Sequence, residues 1–478
     1  MRGAPRRTAV AASLVAAACA LVSSRSGAQR VGHALTLVVG APAGGAVTER
    51  LDPQRSNASN ELLPTDALRI LWTRQLRPMV HAPLVLEDGK VVVVTDQGDA
   101  LFLNPDGTDS GHVALGPGPM SAPTLLSDGT VVAVNGLGDV VGARRMSVVL
   151  RTHVVDGSAI EDPRSPPSAG PRMQTVRRHG GRHRSSVPQM FDPPPRQRAF
   201  SLPLGDGGLV VAADRDLVCL DAGLALRNRA VAPSPVASPL VAMGSSVAFV
   251  TDTGEVFDWD LSSASGGVRR RGTLGGPVDG EVAASDDRHL FAVVRGARLV
   301  WFDLSTGAVE TRATTTGTFT GTLALGPRKD GARATAFLQE VTLAGTRALE
   351  VDDQGRATPF PTLLSSQSSL GPPDAGSGQP ALPEAETQLF ADPSGTLAYA
   401  TADGHVGVVS RSGKRELGPL PCGSPAAMMS QAAAMQMRLA LGFAGLVPAG
   451  RGAFVVACEG GALTMVTGDV RAESPAGP

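Results

Sequence analysis

Residues Ala82 to Asn104 read APLVLEDGKVVVVTDQGDALFLN. An Ala-Pro pair leads into a short apolar strand, Asp88-Gly89 supplies a turn, and Val91 to Val94 form a second strand. Gly98 then turns into a third strand, Ala100 to Leu103. Valine favours the pleated conformation, and Asp and Gly tolerate the dihedrals a tight turn demands. About 40 residues later the pattern returns in register: Ala122-Pro123, Asp128-Gly129, Val131 to Val134, Gly138-Asp139. A third copy runs through Ser238-Pro239, Val247 to Val250 and Gly254, with the same spacing from Pro to Gly. A period near 40 with three or four short strands per unit marks a β-propeller blade.

Working outward, the segment Leu68 to Leu76 precedes the first unit and reads as a strand that pairs with the last blade and closes the ring. Closure removes the open edges that a linear array of sheets would expose. Further units start at Asp206-Gly207, Ser238, Leu290, Thr322, Gln388 and Gly445. The count is eight four-stranded blades, or seven if the third or sixth unit is not a full blade. The fold class is all-β, with one inserted helix and disordered loop insertions.

The propeller is expected over 67–470, after a signal peptide at 1–28 and a leader and linker at 29–66, and before a disordered tail at 471–478. Three segments interrupt it. Residues 154–199 form an insertion; within it, 163–198 hold eight Pro and eight Arg against one acid, Asp192, a composition with too little apolar surface to fold alone. Residues 362–385 are a Ser/Pro/Gly linker. Ser424-Pro425 caps an Ala- and Met-rich run, giving a helix over 424–442.

The N-terminus carries Arg2, Arg6 and Arg7, then an apolar run from Ala9 to Val22 and small residues at Ser26-Gly27-Ala28. This is the pattern of an export signal, too short to span a bilayer. Cys19 is the possible site of lipid attachment: it either carries a lipid or leaves with the signal. The 478-residue chain has a formal charge of −1, with 42% hydrophobic and 18% charged residues. Removing 1–28 takes away four Arg and no acid, so the charge becomes −5. An acidic protein of this kind is not built for nucleic acid. No transmembrane segment is expected, and nothing in the sequence asks for more than a monomer.

The repeated A/S-P…D-G-x-V-x-V…x-G units, with D-x-x-T-G at Asp303 to Gly307, resemble the quinoprotein-like (PQQ-like repeat) propellers, a group that includes an outer-membrane assembly lipoprotein. The resemblance implies an eight-bladed ring and a cell-envelope setting. The family's enzymes hold pyrroloquinoline quinone between a stacking Trp and a disulfide of adjacent cysteines, beside a calcium ion. No two cysteines are adjacent here, and Trp72, Trp259 and Trp301 all fall on strands, where core packing is their expected role. No cofactor is expected.

Other constellations have bland readings. His179 and His183 lie in a Gly-rich loop without fixed geometry. Asp258 and Asp260 share one strand face opposite Trp259, a spacing that suits a cation but also a solvent-facing strand edge. Asp96, Asp252 and Asp403 recur at a turn and are explained by turn chemistry. Met428 and Met435 share a face of the expected helix and pack it on the propeller. Catalytic and metal-binding residues are therefore read as none. Cys219 is expected to be a buried free thiol. Cys422 and Cys458 are expected to form a disulfide, since an exported protein meets an oxidising compartment. The functional reading is an exported, non-catalytic propeller that binds a protein partner or an envelope component, periplasmic, outer-membrane-associated or secreted. The alternative is a propeller-type enzyme, a lyase, a glycosidase or a quinone-dependent dehydrogenase.

Overall fold

The computed structural model describes residues 58–79, 81–118, 121–144, 146–154, 199–262, 267–326, 334–342, 344–365, 388–401, 404–420, 422, 443–450 and 452–470. These form eight four-stranded antiparallel sheets. Strand β1 (Arg69–Gln75) comes first. Blade one is β2 (Leu84–Val85), β3 (Val91–Val94), β4 (Asp99–Leu103) and β5 (Asp109–Ala114); blade two is β6 (Thr124–Leu125), β7 (Val131–Val134), β8 (Asp139–Arg144) and β9 (Ser147–His153). Blade three is β10 (Ala199–Pro203), β11 (Leu209–Ala213), β12 (Asp216–Leu220) and β13 (Leu226–Val231). Blade four is β14 (Val241–Met243), β15 (Ser246–Val250), β16 (Glu255–Asp260) and β17 (Val268–Thr273). Blade five is β18 (Val278–Ala284), β19 (His289–Val294), β20 (Arg298–Asp303) and β21 (Val309–Thr314). Blade six is β22 (Thr318–Leu325), β23 (Ala336–Thr342), β24 (Gly345–Val351) and β25 (Ala357–Pro359). Blade seven is β26 (Gln388–Ala391), β27 (Leu397–Ala400), β28 (His405–Ser410) and β29 (Gly413–Pro419). The eighth takes β30 (Phe443–Gly450), β31 (Ala453–Cys458) and β32 (Ala462–Thr467) from the C-terminal end, and β1 completes it in the order β1-β32-β31-β30.

The four-valine strand shows why these blades read as unbroken apolar runs. All four valines of β3 are at most 2% exposed. Val91 and Val93 belong to the cluster shared with blade eight, whereas Val92 and Val94 pack with Val131, Ala133 and Val141 of blade two. Strand β7 repeats the division, Val132 and Val134 facing blade three. Both faces of each blade are buried, so alternation gives way to continuous hydrophobicity.

The turns follow from local chemistry. Asp88, Asp128, Asp206 and Asp392 each accept through Oδ1 the main-chain N–H two residues on, at 3.1, 2.9, 3.0 and 2.8 Å. The following Gly89, Gly129, Gly207 and Gly395 sit at φ between +78° and +85°, where a side chain is strained. Ser121 and Ser238, at the entry to their blades, each accept a main-chain N–H through Oγ, from Val134 and Val250, both at 2.9 Å. Blade four differs by one residue. Its first hairpin is the two-residue Gly244-Ser245 turn, so Ser238 aligns with Ser121 rather than with Ala122.

The ring closes at both radii. On the outside β1 pairs with β32 from Arg69↔Thr467 to Gln75↔Ala462. On the inside β30 meets β2, and a Cβ at Gly445 would lie 2.3 Å from Ala82 Cβ and 2.5 Å from its Cα. Gly445→Ala is therefore expected to cost about 1–3 kcal/mol through overpacking. Urea denaturation checks this against Gly267→Ala, where a Cβ meets nothing within 4 Å.

Antiparallel up-and-down strands put the first and third turns of every blade at one end of the ring. The middle turns and the blade-to-blade connections lie at the other. The segments 155–198, 366–387 and 423–442 each fall in the sequence between an outermost strand and the next innermost one. They lie outside the described residues, as do the signal peptide, Cys19, the tail, His179 and His183, and the helix expected over 424–442 with its methionines. The described ends of the two expected linkers pack on the ring. Residues 58–66 pack against blades seven and eight, with Leu63 only 3% exposed. At the other linker Leu364 is fully buried, and its N–H donates to Thr346 O at 2.8 Å.

Candidate functional site

The carboxylate pair at Asp258 and Asp260 is occupied by arginine. Asp258 is 5% exposed, not solvent-facing, and Arg271 donates to it twice, Nε to Oδ1 at 2.7 Å and Nη2 to Oδ2 at 2.8 Å. Asp260 lies 3.7 Å from Arg269 and caps the N–H of Ser262 at 2.9 Å. A cation would have to displace a bidentate guanidinium, the strongest partner a carboxylate finds among side chains. Among the described residues no group of three His, Cys, Asp or Glu side chains is placed to hold a metal ion.

Arg271 is where it is because β17 bulges there. Seven of the eight outermost strands carry one such extra residue: Leu71, Ser110, Val149, Arg227, Arg271, Arg312 and Leu417. A bulge bends an edge strand and interrupts its ladder, which guards against edge-to-edge pairing. In blades three, four and five the bulged residue is arginine, and each is engaged. Arg227 pairs with Asp206, Arg271 with Asp258, and Arg312 with Glu310 at 2.5 Å and with the carbonyl of Asp352 at 3.2 Å. The first residue of β4, β8, β12 and β16 is an acid matched in the same way, to Arg77, His153, Arg229 and Arg270.

The turn at Asp303 to Gly307 is closed by a dense set of hydrogen bonds to one carboxylate oxygen. Asp303 Oδ1 accepts from Ser305 N at 2.7 Å, Ser305 Oγ at 2.6 Å and Thr306 N at 3.3 Å. Burial pushes the carboxyl up, but the Ser305 hydroxyl and the two N–H groups together outweigh it and hold its pKa at about 2. Its stabilisation is complete above the ordinary value of 3.8 and is lost as pH falls through about 2. Asp303→Ala is expected to cost roughly 2 kcal/mol at neutral pH. Chemical denaturation at stepped pH checks it: the gap to wild type should narrow as pH falls from 4 towards 2.

At the recurrent turn aspartates the main chain ties the turn to the preceding connection: Asp96 N donates to Pro78 O at 2.8 Å and Asp252 N to Pro235 O at 3.0 Å. Asp403 lies outside the described residues. Trp259 is fully buried and Trp301, 8% exposed, stacks on His289 at 4.3 Å. Trp72 departs from the core role. It is half-buried on β1, its indole N–H donates to Pro105 O at 2.8 Å, and its ring covers Gly107 of blade one. Cys219 is a buried free thiol, and burial pushes its pKa to about 11. Cys422 and Cys458 are bonded, their Cα atoms 5.0 Å apart.

The exposed surface also carries apolar side chains. Six of the twelve large hydrophobic side chains exposed among the described residues belong to blades two and three: Leu137, Met146, Val148, Val149, Leu226 and Val231. The two blades are tied together, since Thr152 Oγ1 on β9 donates at 2.8 Å to O of Leu224, in the turn that leads into β13. Sequence reading did not find this rim. The run Ser147 to His153 looks like any other strand, but as the outermost strand of its blade it leaves Val148 and Val149 exposed.

No protein-family model matches the sequence, and no curated protein does. Among solved structures the chain is similar to the crystal structure of BamB from Moraxella catarrhalis, with a TM-score of 0.52 at 12% identity. The match covers 86% of this chain and 99% of that one. At that identity the likeness is one of fold, the propeller ring itself.

Proposed function

We propose that the protein is an exported, non-catalytic propeller that binds a protein partner in the cell envelope through the outer strands of blades two and three. The observation that carries the reading is the set of exposed large hydrophobic side chains on blades two and three, among them Val148 and Val149 on β9 and Leu226 on β13. Apolar side chains gathered on an otherwise polar surface mark interaction sites. The sequence supports export through its Arg-led apolar N-terminus, and a disulfide is at home in an oxidising compartment. The fold likeness to BamB supports a scaffold role.

The test is affinity capture with the mature protein from envelope extract, comparing wild type with Val148→Asp/Val149→Asp. Both side chains are exposed, so the variant should lose no more than about 0.5 kcal/mol per site. The expected result is one protein retained by wild type and lost by the variant. Equal retention by both would contradict the rim, and turnover of an added envelope polysaccharide would contradict the non-catalytic reading.

A further inference from the structure

Residues 58–66 form a strap laid against the ring before β1 begins. Ala58 makes a parallel bridge to Ala391, and Ser59 N donates to Ala391 O at 2.7 Å. Strand β26 pairs with β27 on its other edge, so the strap has added itself to the free inner edge of blade seven. Further on, Leu63 N donates to Asp392 Oδ2 at 2.8 Å. The Leu63 side chain enters the apolar cluster between blades seven and eight, where Phe390 and Phe454 meet edge to face at 6.3 Å. Beyond it Thr65 N donates to Asp469 O at 3.2 Å.

Asp392 gives this contact its character. The residue is 2% exposed, and its two oxygens have separate tasks. Oδ1 holds its own turn, accepting from Ser394 N at 2.8 Å and Thr396 N at 2.9 Å, while Oδ2 faces the strap. A buried carboxylate oxygen that loses its donor is costly, so the cleft requires a main-chain N–H at that point. The strap supplies main-chain donors, which any extended segment has, and two neighbouring buried apolar side chains, Leu63 and Pro64, the first of them in the core cluster. This is peptide recognition by strand addition with a side-chain pocket. Its removal would leave closure intact, because β1 keeps its own pairing with β32.

We propose that the cleft between blades seven and eight is a peptide-binding site, held in the resting chain by its own strap, and that it accepts an extended, leucine-bearing segment of a protein partner. Tethering gives the strap an effective concentration of about millimolar, so an added peptide binds wild type poorly until the strap is loosened.

Fluorescence anisotropy with a labelled peptide of the sequence of residues 57–66 tests this on full-length chains. Leu63→Ala loosens the anchor. Ser59→Pro removes one main-chain donor and the Oγ that accepts from Glu61 N at 3.1 Å, but no apolar core side chain, so it keeps the test open if Leu63→Ala fails to fold. The expected result is saturable binding to the variants at least tenfold tighter than to wild type, abolished when the peptide's own anchor leucine is replaced by alanine. Absence of saturable binding to a cooperatively melting variant would overturn the proposal, as would equal binding by wild type. The rim of blades two and three takes no part in the assay, so its failure and the failure of the partner-binding reading are separate outcomes.

Discussion

Removal of Ala67 to Leu76 is expected to abolish cooperative unfolding of the whole ring. This deletion takes out β1, which supplies the outer member of blade eight although it lies at the other end of the chain. Three sets of contacts go with it. The ladder to β32 is lost, the Trp72 indole no longer donates to Pro105 O at 2.8 Å, and Arg74 no longer reaches Asp109 at 3.0 Å. The last two contacts are made to blade one, so β1 joins the first and last blades directly. Without it the edge of β32 is bare, an open template for aggregation. Calorimetry and size-exclusion chromatography read the outcome: a monomer with a single cooperative transition would mean that the inner contact of Gly445 with Ala82 suffices. Trp72→Ala alone should cost about 2 kcal/mol, less than a core tryptophan because the ring is only half-buried.

The second large effect is expected from the disulfide. Cys422 and Cys458 are 36 residues apart, and their bond fixes the connection into blade eight to the end of β31. Closing a loop of that length stabilises by about 4 kcal/mol in the chain-entropy model. Cys422→Ala/Cys458→Ala should lose that amount in denaturant unfolding and become insensitive to reductant. Thiol titration provides an independent check. A chain beginning at residue 29, which lacks Cys19, should show no reactive thiol at pH 8, since Cys219 is buried with a pKa near 11, and one thiol on denaturation. Three thiols on denaturation would mean that Cys422 and Cys458 are free in the mature protein.

The ring was legible in the sequence because its signals are local. Asp-Gly turns, valine runs and the Ser or Ala before Pro each act within a few residues, and they recur often enough to count blades. Even the closing role of Leu68 to Leu76 could be read, since a strand left over before the first repeat has one obvious place to go. What could not be read depends on residues far apart in the chain. Leu63 looks like part of a linker until its N–H is seen on Asp392. Asp258 looks like a candidate ligand until the bulge on β17 brings Arg271 onto it. The one-residue shift of blade four was hidden because Pro239 to Gly254 preserves the spacing of the other blades by a different turn. The exposed valines were hidden too, because Val148 and Val149 have the composition of a buried strand and differ only in lying on an outermost one.

The proposed function is most directly tested by placing a photo-crosslinking amino acid, in turn, at Val149, Leu226, Val309 and Arg356 of the full-length protein in intact cells. These positions sample the outer rim at blades two, three, five and six. The partner-binding account predicts one crosslinked protein at Val149 and Leu226 and none at Val309 or Arg356. Crosslinks spread evenly over all four positions, or confined to blades five and six, would contradict it.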